Sequence, residues 1–154
     1  MFCTRTENNR INRVHERALR IIYDDYSSSF EALLERDGAV TFHVINIRKV
    51  AIEMFKVYHG IAPEVISDLF TIAESNVTRT GRHFVRNGDI TVFHGEMSLS
   101  SFGPIVWNEM LPDLYKQCED LSTFKRVIKN WMPKCNCRLC RVLIRDLGFV
   151  NIAN

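Results

Sequence analysis

The chain has 154 residues, 46% of them hydrophobic and 25% charged, which is the profile of a globular domain with enough apolar surface for a core. No stretch approaches the roughly 20 apolar residues of a membrane span, and the first ten residues have no apolar run like that of a signal peptide. An odd count of five cysteines fits a reducing compartment better than a disulfide framework, so the chain is expected to be intracellular and the Asn76-Val77-Thr78 sequon a chance match.

Ile11, Val14, Ala18, Ile21 and Ile22 recur at helical spacing and predict an amphipathic helix from about residue 8 to 24 with those side chains inward. Its other side carries Arg10, Arg13, Arg17 and Arg20 at three- and four-residue steps, partly offset by Glu7, Glu16, Asp24 and Asp25. Ser28 followed by Glu31 has the form of a capping box, and Gly38 that of a helix stop, which gives a short helix near 29 to 37. Val44, Ile47, Ala51, Met54, Phe55 and Tyr58 mark one face of a longer helix from about 41 to 59 that Gly60 closes. Pro63 suits the first turn of the next helix, whose apolar side would be Val65, Ile66, Leu69 and Phe70.

The pattern changes after residue 72. Residues 73 to 83 are polar and cationic, and Asn87-Gly88 is a two-residue turn signal between Phe84-Val85 and Ile90 to Phe93, so a small β-hairpin is expected there. Pro104 suits a helix start and Pro112 follows its end, with Trp107 anchoring the core between them. Ser122 is placed to cap a last helix in which Phe124, Val127, Ile128 and Trp131 face inward, Lys125, Arg126 and Lys129 face out, and Pro133 gives the stop. The expected architecture is mainly α: a helical bundle over 1–72, a polar loop and hairpin over 73–100, further helices over 101–132, and a short basic Cys-rich module over 133–150.

That last module carries the chemistry. Cys135, Cys137 and Cys140 lie within six positions, and three soft thiolates so close together favour Zn²⁺, because the ion stabilises the deprotonated thiols and ties down a segment too short to bury a core. A zinc site needs a fourth ligand, and Cys118, Cys3 and His15 are all open as candidates. From residue 121 onward there are seven cations (Lys125, Arg126, Lys129, Lys134, Arg138, Arg141, Arg145) against one anion, Asp146, net +6, whereas residues 1–120 carry 13 cations and 17 anions, net −4. A cationic segment attracts phosphates by counterion release without reading sequence, so RNA or DNA is the expected partner and those seven side chains the expected contacts. No spacing of nucleophile and base, or of paired carboxylates, marks a self-contained enzyme. A helical module that docks on another protein is the alternative, because amphipathic faces rich in Phe, Met and Leu can seat a partner helix.

Several blocks in fixed order carry a resemblance: Ile11-Asn-Arg-Val-His-Glu-Arg-Ala-Leu-Arg-Ile-Ile-Tyr-Asp-Asp25, Ser29-Phe-Glu-Ala-Leu-Leu-Glu-Arg-Asp-Gly38, Ser101-Phe-Gly-Pro-Ile-Val-Trp-Asn108, Leu121-Ser-Thr-Phe-Lys125, and the terminal Cys135-x-Cys137-Arg-Leu-Cys140 with Leu147-Gly-Phe149. Together they resemble the C-terminal region of reverse transcriptases of jockey-like non-long-terminal-repeat retrotransposons, over nearly the whole chain. The resemblance implies that the RNA-directed DNA polymerase fingers and palm, with their metal-holding aspartate pair, lie earlier in a longer product of the mobile element. Asp24-Asp25 is the only such pair here, it follows Tyr23 with no upstream aspartate block, and no catalysis is assigned to it. The fragment would then hold template RNA or target DNA for a polymerase domain that this chain lacks.

Overall fold

A computed structural model describes residues 5–74, 82–85 and 98–134. The chain is mainly helical. In order, the described elements are α1 (Arg5–Tyr23), α2 (Phe30–Asp37), α3 (Phe42–Tyr58), the single turn α4 (Glu64–Ser67), β1 (Ile72–Glu74), β2 (Arg82–Phe84), α5 (Leu99–Ile105) running into a π-turn (Val106–Met110), the single turn α6 (Asp113–Lys116) and α7 (Leu121–Ile128). None of these helices is long and apolar enough to cross a membrane.

The largest apolar cluster joins residues from both sides of the 73–100 segment. Ile47, Ala51, Met54 and Phe55 of α3 pack with Phe102, Val106 and Trp107, with Phe124 and Ile128 of α7, and with Phe84 and Trp131. Trp107 is the expected anchor, and of the expected inward faces Ile47, Ala51, Met54, Phe55, Phe124, Ile128 and Trp131 are buried, whereas Val44, Tyr58 and Val127 are only half-buried and Val50 and Val57 take core places on α3. Phe55 stacks on Phe124 with ring centroids 4.3 Å apart, an offset geometry that adds to the area these rings bury. Gly103 lies against Met54 so closely that a Cβ there would meet the Met54 sulfur, which lets α5 approach α3. Gly38 and Gly60 take the left-handed conformation (φ 66° and 67°) at the ends of α2 and α3, as helix stops do.

Several local expectations are corrected. Val14, Ala18, Ile21 and Ile22 are exposed rather than inward. The buried row of α1 is Asn8, Asn12 and Leu19, because Asn12 accepts a hydrogen bond from the Phe42 amide (3.4 Å) and Leu19 joins Leu33 and Leu34 of α2 in a second, smaller cluster. Tyr23 donates to Asp37 Oδ1 at 2.8 Å and lies under the Arg36 guanidinium, which sets the rotation of the helix. Ser29, not Ser28, caps α2 by accepting from the Ala32 amide. Ser28 instead donates to Asp25, which also takes the Ser27 and Ser28 amides. Pro63 does open α4, yet that helix is one turn long and leaves Val65 and Leu69 exposed.

Pro104 sits inside α5 rather than at its start, where Ser98 is the cap. Proline has no amide to give the carbonyl four residues back, and the helix widens directly after it into the π-turn, closed by Leu111 N–H to Val106 C=O at 2.9 Å. Phe84 does form a strand, but its observed partner is β1, in an antiparallel register pairing Ile72 with Phe84. The expected hairpin partner at 90–93 lies outside the described residues. Asn108 holds that strand from the other side, donating Nδ2 to Phe84 C=O at 2.7 Å and accepting the Phe84 amide at 3.2 Å.

Asp120, not Ser122, caps α7. It accepts from the Thr123 amide at 2.8 Å and from the Ser122 hydroxyl at 2.5 Å, and these donors, the hydroxyl first, hold its carboxyl below the usual carboxylate range. Such a group binds fewer protons folded than unfolded, so its stabilising contribution is present above the unfolded value of about 4 and drains away as pH falls below it. Asp120→Asn keeps a good cap and removes this titration. The stability curve below pH about 4 is expected to become shallower, read as a lower acid-unfolding midpoint by circular dichroism. An unchanged midpoint would count against the linkage.

A basic cleft as the candidate nucleic-acid interface

α3 buries one stripe in the core and turns a neighbouring one outward: Ile45, Arg48, Lys49 and Ile52, spaced three, one and three residues apart along one side of the helix. α7 turns Lys125 and Lys129 outward on either side of the buried Ile128. These side chains line a cleft of about 740 Å³ together with His15 of α1 and the Gly38-Ala39-Val40 connection. Isoleucines and Val40 supply apolar lining, and Arg48, Lys49, Lys125 and Lys129 supply four positive charges, with no aspartate or glutamate among the lining residues. Charges gathered in one concave site raise the local potential more than the same charges spread over a flat face.

Arg48 has a structural duty as well. Its Nε donates to the Trp131 carbonyl at 2.8 Å and an Nη donates to the Met132 sulfur at 3.4 Å, so α3 grips the chain just past α7. Partial burial draws its pKa below the ordinary arginine value, yet a guanidinium stays charged at any physiological pH. Its grip sets the cleft wall on which Lys125 and Lys129 stand, both exposed at the C-terminal end of α7. That end is the negative pole of the helix, which favours cations there.

Of the expected phosphate contacts, Lys125 and Lys129 are brought together in the cleft. Arg126 is exposed one step round α7, and Lys134 is exposed beyond Trp131; neither lines the cleft. Arg138, Arg141 and Arg145 lie outside the described residues, as do Cys135, Cys137, Cys140 and Cys3. Of the other candidates for a fourth zinc ligand, His15 is half-buried in the cleft with its ring edge against Phe30, centroids 5.8 Å apart. Cys118 is half-buried against the main core. No cluster of three metal-ligating side chains occurs among the described residues.

Arg48 and Lys49 are the cleft residues that sequence patterning missed. The available signal was an adjacent cation pair flanked by Ile45 and Ile52, too polar for the core stripe of α3. No protein-family model, curated protein or solved structure matches the chain.

Proposed function

We propose that this chain is a C-terminal fragment of a jockey-like retroelement reverse transcriptase that holds RNA or DNA non-specifically and does not itself catalyse polymerisation. The observation that carries the proposal is the cleft: four cations and no carboxylate on the walls. Phosphates would displace counterions from Lys49, Lys125 and Lys129, and the remaining guanidinium donors of Arg48 would take a phosphate oxygen while its Nε holds Trp131. The ordered sequence blocks supply the retroelement reading. In it the chain works inside the cell, and Arg138, Arg141 and Arg145 extend the contact beyond the cleft. Cys135, Cys137 and Cys140 hold a zinc ion that orders this strip.

Salt titration tests it. Binding of a fluorescent 20-nucleotide RNA or DNA is expected to weaken linearly on a log–log plot, with a slope near −3 from the four cleft cations alone at about −0.7 per phosphate. The same preparation is expected to contain one zinc per chain, lost in Cys137→Ser. Absence of binding, or binding indifferent to salt, would sink the proposal.

A second reading has its own support. Val14, Ile21 and Ile22 on α1 are 67%, 71% and 68% exposed, which suits a helical module that docks on a polymerase domain or another protein.

A further inference from the structure

Arg10, Val14, Arg17 and Ile21 follow one another at steps of four, three and four residues along α1. That is the seam spacing by which one helix packs along another at a shallow angle. All four are exposed, and Ala18 and Ile22 widen the apolar part on one side. On the other side Arg13, Arg17, Ile21 and Tyr26, with the Glu16–Arg20 pair, border a hollow of about 510 Å³, with Tyr26 69% exposed. Arg20 is held by Glu16, at 2.6 Å. Arg10, Arg13 and Arg17 make no such pair among the described residues, and no carboxylate stands on the seam between Arg10 and Ile21.

We propose that this outer face of α1 docks an amphipathic helix of a partner protein that carries carboxylates alongside its apolar seam. The inference rests on the docking reading above and names its partner's chemistry. Val14 and Ile21 would gain by leaving water, at seam positions where a partner's apolar side chains reach them. The guanidiniums between them would be desolvated by the same contact and need bidentate acceptors, which glutamate or aspartate provides. A second copy of this chain would set arginine against arginine if it lay parallel, and Arg10 against Ile21 and Arg17 against Val14 if antiparallel, so neither arrangement puts a carboxylate opposite Arg10 or Arg17. A nucleic acid would satisfy the arginines and leave Val14 and Ile21 in water.

The test uses the full chain and two labelled synthetic peptides of three heptads, both with leucine at the seam positions. One carries glutamate at the flanking positions and the other lysine. The glutamate peptide is expected to bind, and the lysine peptide to bind at least tenfold more weakly. Val14→Gln with Ile21→Gln is expected to cut glutamate-peptide affinity at least tenfold while helix content and thermal midpoint stay put, since both side chains are exposed. Arg10→Gln with Arg17→Gln should narrow the preference between the peptides. Equal binding of both peptides would overturn the acidic partner and leave the docking face standing. No binding of either would overturn both. If the arginine pair weakened RNA binding while the Val14 and Ile21 changes affected neither peptide, the face would belong to nucleic acid instead.

Discussion

Replacing Trp107 by alanine is expected to cost about 3–5 kcal/mol of folding free energy, a large part of the 5–15 kcal/mol typical of a domain. The indole is 1% exposed and is the hub of the aromatic core, with centroids 5.0 Å from Tyr58, 5.8 Å from Phe84, and 6.5 Å from both Phe55 and Phe124. Those rings come from α3, β2 and α7, so the cavity would open at the junction of three elements and no single one could collapse to fill it. The indole Nε1 has no hydrogen-bond partner among the described residues. The side chain contributes chiefly by the volume it fills. Trp107→Phe, which removes that donor and keeps a ring, should lose less than half as much. Urea midpoints followed by circular dichroism would show the ordering. Equal losses for the two variants would contradict the volume argument.

Charge removal at the cleft is the second large effect. Lys49, Lys125 and Lys129 changed together to glutamine should lower affinity for a single-stranded oligonucleotide about 100-fold at 0.1 M salt and reduce the log–log salt slope by about 2, three contacts at about 0.7 each. All three side chains are exposed on helix surfaces, so stability should move by less than about 0.5 kcal/mol per site. Lys56 is the control. It is paired with Glu53 at 2.8 Å and lies outside the cleft, and Lys56→Gln should leave binding unchanged. An unaltered slope in the triple variant would move the phosphate contacts elsewhere.

How much could be read from residues alone differed by element. α3 was legible because Ile47, Ala51, Met54 and Phe55 keep helical spacing and Gly60 marks the stop, so local pattern and tertiary burial agree. The helix of α1 was legible but its inward face was not, because that row contains Asn8 and Asn12 while Val14, Ile21 and Ile22 form the more apolar-looking side. Periodicity reports which side is greasy, and here the greasy side is not the covered one. Caps were misplaced by one or two residues at Ser29 and Asp120, since Ser28 precedes Ser29 directly and Ser122 follows Asp120 by two residues, and any of these side chains can accept from a first-turn amide. The cleft was half legible. Lys125 and Lys129 were visible as an outward face, but their apposition to Arg48 and Lys49 arises from contact between α3 and α7, some eighty residues apart, which no local window contains.

Asn108 has a consequence for how forces pass through the molecule. Its side chain takes both main-chain groups of Phe84, one as donor and one as acceptor, so β2 is bolted to the π-turn as well as zipped to β1. A pull on that strand is carried straight into the turn that seats Trp107. The three-residue ladder on its own would part like the end of a zip. Fastened this way, strand and turn yield together or not at all, and a segment far too short to be a folding unit borrows the cooperativity of the helices beneath it.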